Sequence, residues 1–186
     1  MIRFASVVAA IFLLSTVGAM ATEAGWALLR DGGRVVFLAN ANAPGTGDPA
    51  NFTIEECRTQ RNLSDRGRQQ ARRIGALFAA RAEPVEQVYS SRYCRCLETG
   101  RLAFGDRLVE EMPALDAPSR DGEMTAEGRE EVFTLIRDYT GSGNLVLVTR
   151  PETVAALIGL TPREGEAVIV APDDAGAHVI GRIVFN

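Results

Sequence analysis

Leu145-Val146-Leu147-Val148-Thr149-Arg150-Pro151 decides the fold of this chain. Four apolar residues in a row predict a strand buried on both faces. Pro151 fits the first turn of a helix, where its missing N–H costs no hydrogen bond. The stretch is therefore a strand-to-helix junction, with Thr149 and Arg150 at the strand's carboxyl end. Upstream, Gly141-Ser142-Gly143 breaks the chain after a helix that Thr125 caps and that runs to about Tyr139. Val132, Leu135, Ile136 and Tyr139 share one face of that helix. The same alternation recurs earlier. Arg34 to Leu38 reads as a buried strand, and 26–30 as a short helix before it. Ser64 caps a helix to about Arg81, with Ala71, Ile74, Leu77 and Phe78 at helical spacing. Val88-Tyr89-Ser90 is a strand, followed by a helix through Leu97 to Phe104. Residues 107–110 form a short strand, 111–124 a loop, and 166–170 and 177–184 two last strands. Strands alternating with helices predict a three-layer α/β/α domain with a mainly parallel central sheet.

The chain has 186 residues, which suits one domain. Residues 1–21 read as a signal peptide: Arg3, an apolar stretch from Ala5 to Val17, then Ala19-Met20-Ala21. The apolar stretch is short for a spanning helix, which needs about 20 residues. The expectation is a single domain over 22–186 in an oxidising compartment, periplasmic or secreted, with no membrane attachment after cleavage. Net charge is −4, which gives no attraction for nucleic acid. Every basic residue is arginine, so lysine Schiff bases and a P-loop lysine are excluded. The single histidine, His178, excludes multi-histidine metal sites and paired-histidine catalysis. No cofactor and no metal is implied. Of the three cysteines, Cys57 lies far from Cys94 and Cys96. One disulfide and one free thiol is the simplest arithmetic. Cys57–Cys94 is the favoured pairing and Cys57–Cys96 the next, with three buried thiols as the alternative.

Ligands of such sheets bind at the carboxyl ends of the strands. Those ends are Leu38-Ala39-Asn40-Ala41-Asn42, Ser90-Ser91 leading to Arg92 and Arg95, and Thr149-Arg150. Residues 39–62, with Pro44, Gly45, Gly47, Asp48 and Pro49, form a long loop of the kind that serves a site.

Four segments in this order resemble the histidine phosphatase superfamily, the phosphoglycerate-mutase-like fold. They are Val35-Val-Phe-Leu-Ala39-Asn40, Leu63-Ser64-Asp65-Arg66-Gly67-Arg68-Gln69-Gln70-Ala71, Ser90-Ser91-Arg92-Tyr93-Cys94-Arg95-Cys96-Leu97-Glu98-Thr99, and Leu145-Val-Leu-Val-Thr149-Arg150. The loop Asn42-Ala43-Pro44-Gly45 and the stretch from Cys57 to Leu63 resemble a secreted bacterial branch. The resemblance implies phosphomonoester chemistry through a phosphohistidine at the end of the first strand, clamped by arginines and a second histidine. Here the nucleophile position is Asn40, the arginine beside it is Ala39, and the second histidine is Arg150. Only Arg95 of that set remains. A carboxamide cannot carry a phosphoryl group, and losing a covalent nucleophile costs on the order of 10⁴–10⁶ in kcat. The cysteines offer no replacement, because none has an arginine at the C-x₅-R spacing of cysteine phosphatases.

The expectation is a degenerate phosphatase, or pseudophosphatase. Arg95, Arg150, Arg61 and Asn40 are its candidate anion-binding residues, and the ligand class is a phosphorylated or otherwise anionic small molecule. The alternatives are an empty pocket in which Arg150 pairs with Glu152 or Glu98, a weak or altered phosphohydrolase, and a periplasmic protein-interaction module whose partner the sequence does not name. Residues 110–123 hold several candidates for a proton-donating carboxylate. His178, in a late strand, reads as structural.

Overall fold

The computed structural model describes residues 22–116 and 124–185. The signal-peptide reading of 1–21 lies outside them, as do Asp121 and Glu123 among the candidate proton donors. The elements are α1 (22–29), β1 (Val35–Ala39), α2 (Asp65–Ala80), β2 (Val85–Ser90), α3 (Cys94–Phe104), β3 (Val109–Glu111), α4 (Ala126–Asp138), β4 (Asn144–Thr149), α5 (Pro151–Ile158), β5 (Ala167–Asp173) and β6 (Gly176–Ile183). Among the described residues, three short 3₁₀ turns punctuate the connections. Among the described residues, no helix is long and apolar enough to cross a membrane.

Among the described residues, six strands form one sheet in the order β3-β2-β4-β1-β5-β6. β1, β2, β3 and β4 run parallel, while β5 and β6 run antiparallel to their neighbours. The expected mainly parallel sheet is present, with an antiparallel hairpin on one side. That hairpin turns through Asp174 and Ala175, too short a link for a parallel return.

Two-residue periodicity in the central strands builds the three layers. Val36, Leu38, Val146 and Val148 face Trp26, Leu29, Ile74 and Phe78 of α1 and α2. Val35, Phe37, Leu145 and Leu147 face Val132, Phe133 and Ile136 of α4 and Val154 and Leu157 of α5. β1 and β4 are buried along their whole length because both faces are covered. Ser64 and Thr125 cap their helices as expected, each accepting the backbone N–H three residues on, from Gly67 and Gly128.

α2 also fixes the loop that follows β1. Gly67 packs against the Asn42 carbonyl so closely that a Cβ there would collide with it. Gln70 accepts the Asn42 N–H at 2.9 Å and donates to the Glu164 carbonyl at 3.2 Å. The capped, amphipathic helix therefore presents Gly67 and Gln70 toward the loop at the sheet's carboxyl edge.

Candidate functional site: an arginine pocket closed by Asp48

The parallel strands β1, β4 and β2 end side by side. Ala39 pairs with Thr149, and Ser90 with Val148. The ladder continues one residue further, with Asn40 N–H donating to the Thr149 carbonyl and Ser91 N–H to the Val148 carbonyl, each at 2.9 Å. Thr99 on α3 accepts the Ala41 N–H at 3.0 Å and donates to the Arg95 carbonyl at 2.7 Å. These bonds lock the carboxyl edge against the start of α3.

Arg95 lies one residue into α3 and is fully buried. Its guanidinium donates two hydrogen bonds to the carboxylate of Asp48, Nη1 to Oδ1 at 2.9 Å and Nη2 to Oδ2 at 3.2 Å. Asp48 comes from the long loop, and its side chain is 11% exposed. Its Oδ1 also accepts the Arg61 backbone N–H at 2.9 Å. Arg150 caps α5 and approaches Asp48 Oδ2 at 3.8 Å. Both guanidiniums lie over the Tyr93 ring, Arg95 at 4.7 Å and Arg150 at 4.6 Å from its centroid. Two like charges on one ring repel, and the Asp48 carboxylate relieves that repulsion. Burial works against the ionised form of Asp48 and is the largest single influence on it. The hydrogen bonds from Arg95 and Arg61, with the charges of Arg95 and Arg150, together outweigh burial and hold its pKa below the usual 3.8.

The sequence-derived candidates thus divide. Arg95 and Arg150 converge as expected. Arg61 supplies its backbone N–H; its guanidinium turns to the carbonyls of Ala43 and Gly45, both at 2.8 Å, and to Glu164 at 3.5 Å. Asn40 is fully buried and donates to the Ala41 carbonyl at 2.9 Å, while its Oδ1 has no partner among the described residues. Ala39 presents only a methyl group and is fully buried. Arg150 comes within 3.9 Å of Glu152, whereas Glu98 pairs with Arg68 at 2.7 Å. The pocket is therefore neither free nor empty but filled by the chain's own carboxylate. Asp48 and Tyr93 are the residues that sequence reasoning missed. The available signal was an acid flanked by Gly47 and Pro49 inside the site-serving loop.

Cys57 and Cys94 form the disulfide, and Cys96 is free and buried. Burial foremost pushes the Cys96 thiol up to about 12, so it is no thiolate nucleophile. His178 lies on β6, exposed, with Nδ1 3.2 Å from Asp173 Oδ2, away from the arginine pocket. Of the carboxylates in 110–123 that are described, Asp116 accepts from Ser91 and from Arg92 at 2.7–2.9 Å. Among the described residues, no three His, Cys, Asp or Glu side chains are grouped to hold a metal.

The sequence model of the histidine phosphatase superfamily (branch 1) matches residues 54–117. No curated protein matches the sequence. Solved structures with the same fold include a protein histidine phosphatase, SixA, complexed with tungstate, at 18% identity and a TM-score of 0.55; the likeness covers 81% of this chain and 96% of that one. The phosphoglycerate mutase of Thermus thermophilus is 19% identical, with a TM-score of 0.54 over 82% of this chain and 99% of its own. The putative alpha-ribazole-5'-P phosphatase of Escherichia coli K-12 is 15% identical, with a TM-score of 0.58 over 81% and 96%. The family model thus covers the stretch from the long loop through β3, and the solved structures share the phosphoglycerate-mutase-like fold.

Proposed function

We propose that this chain is a catalytically silent member of the superfamily, a phosphatase body whose oxyanion pocket is filled by its own Asp48. The observation that carries the reading is the two-bonded Asp48–Arg95 pair beside Asn40. A covalent phosphoryl route needs a nucleophile at the end of β1, and the Asn40 carboxamide is not one. Neither His178 nor Cys96 stands in for it, the first by position and the second by burial. An incoming phosphate would meet Asp48 where it needs Arg95, and like charges within a few ångströms repel. Residues 1–21 read as an export signal, and the Cys57–Cys94 disulfide supports the same periplasmic or secreted setting.

The test is covalent capture. The protein is incubated with phosphoramidate or acetyl phosphate, and its intact mass is measured. The expected result is no phosphorylated species. A phosphoryl adduct mapped to a residue of the arginine pocket would overturn the proposal.

A further inference from the structure

The segment carrying Asp48 is tied to the element carrying Arg95 by the disulfide, which joins Cys57 in the long loop to Cys94, the residue before Arg95. The same junction is stitched by hydrogen bonds from the Cys94 N–H to Gln60 Oε1 at 3.0 Å and from Arg95 Nη1 to the Arg61 carbonyl at 3.2 Å, and by Phe52 stacked on Tyr93. Cys57 is exposed and Cys94 half-buried. Both line a cleft of about 460 Å³ bordered by Arg58, Arg68 and Arg101. A separate cavity of about 370 Å³, lined by residues from Pro44 to Pro49, opens on Asp48 and Arg61. Asp48 is thus reachable from solvent, and its tether is reachable by a reductant.

The donors that hold Asp48 form an oxyanion cradle: the Arg95 fork, Arg150 Nη1 and the Arg61 backbone N–H. Among the described residues, Arg95 Nε and Arg150 Nε have no hydrogen-bond partner, and Arg95 is fully buried. The cradle therefore has more donors than one carboxylate uses. A phosphate-like oxyanion offers more acceptor oxygens and more charge than a carboxylate.

Resting on the silent reading of the pocket, we propose that Asp48 is a displaceable internal counter-anion and that the Cys57–Cys94 disulfide is the clasp that holds it in place. Reduction opens the pocket to a phosphate-class ligand. The reductant is a dithiol. Its thiolate attacks Cys57 Sγ, forming a mixed disulfide. The Cys57–Cys94 bond breaks, and its electron pair leaves on Cys94 as a thiolate. Cys94 sits in the first turn of α3 beside Arg95, a position that stabilises a leaving thiolate. The second thiol of the reductant then displaces Cys57, so two electrons and two protons pass to the two cysteines. Cys96 takes no part, being fully buried.

The experiment measures inorganic phosphate binding by titration calorimetry and by thermal shift, on oxidised protein, reduced protein, Cys57→Ser and Asp48→Asn. Oxidised wild-type protein is expected to show no binding at millimolar phosphate. Reduction and Cys57→Ser are expected to tighten binding by about tenfold or more. Asp48→Asn is expected to bind in both redox states. Far-UV circular dichroism reads folding throughout. The proposal is overturned if Asp48→Asn binds and reduced wild-type protein does not, if neither binds, if oxidised wild-type protein binds as well as Asp48→Asn, or if reduction unfolds the chain. Phosphoryl capture on the same samples judges the silent reading separately, because these outcomes depend on binding alone.

Discussion

Cutting the Asp48–Arg95 pair from either side strands a buried charge, and the two cuts together do not. Arg95→Ala leaves the Asp48 carboxylate, 11% exposed, with the Arg61 N–H and an Arg150 nitrogen 3.8 Å away. Asp48→Ala leaves the Arg95 guanidinium, its side chain 1% exposed, with the Arg61 carbonyl at 3.2 Å and the positive Arg150 sharing the Tyr93 ring. Breaking a buried pair by removing one partner costs about 3–5 kcal/mol. Two unit charges about 4 Å apart interact by about 4 kcal/mol at an effective dielectric of 20, which is the same scale. The double variant carries neither charge, so its cost falls short of the sum by about 2–3 kcal/mol. The assay is urea unfolding of the oxidised protein, followed by fluorescence of its single tryptophan, Trp26, which is buried in the core. In parallel thermal melts each single variant is expected to lower Tm by roughly 6–20 °C, taking about 2–4 °C per kcal/mol for a chain of this size. A coupling energy below about 0.5 kcal/mol would refute the reasoning, since that is what an exposed pair gives.

The depressed pKa of Asp48 sets a second expectation. A carboxylate whose folded pKa lies below its unfolded value adds stability that is complete above the unfolded value and lost as pH falls through the folded one. Wild-type protein should therefore lose stability relative to Asp48→Asn as pH drops below about 4, and equilibrium unfolding at pH 6 and pH 3 measures the gap. A gap of the same size at both pH values counts against the assignment. Gly67→Ala should cost about 1–3 kcal/mol, because the new methyl meets the Asn42 carbonyl and must push α2 off the loop. Thermal denaturation reads that cost, and an unchanged Tm would mean that the approach is not tight.

The strand–proline junction at Leu145–Pro151 was legible because a strand covered on both faces must be apolar throughout, and a proline ends it in only a few ways. The helix starts at Ser64 and Thr125 were legible for the same kind of reason, a hydroxyl placed to accept the N–H three residues on. Two edges were less clear. β2 begins at Val85 rather than Val88, because Glu86 and Gln87 hide the start of a strand whose first residues are only partly covered. α1 is already helical at 22, the first described residue, earlier than the expected 26. The antiparallel run of β5 against β1 depends on which element lies beside which, and a short apolar run carries no direction. The arginine pocket was half legible. Arg95 and Arg150 follow directly from their positions at strand ends. Asp48 reaches them from a loop with no periodicity, 47 positions before Arg95. Its partnership is a tertiary fact that spacing does not encode, and Glu152 and Glu98 were the nearer acids in sequence.

The most direct test of the central claim is the initial rate of p-nitrophenyl phosphate hydrolysis by the purified oxidised protein, beside its Arg95→Ala variant. The filled pocket and Asn40 predict that both run at the buffer background from acid to neutral pH. Turnover by the wild-type protein that Arg95→Ala abolishes would contradict the account, because it would show a working phosphate site where Asp48 is bound.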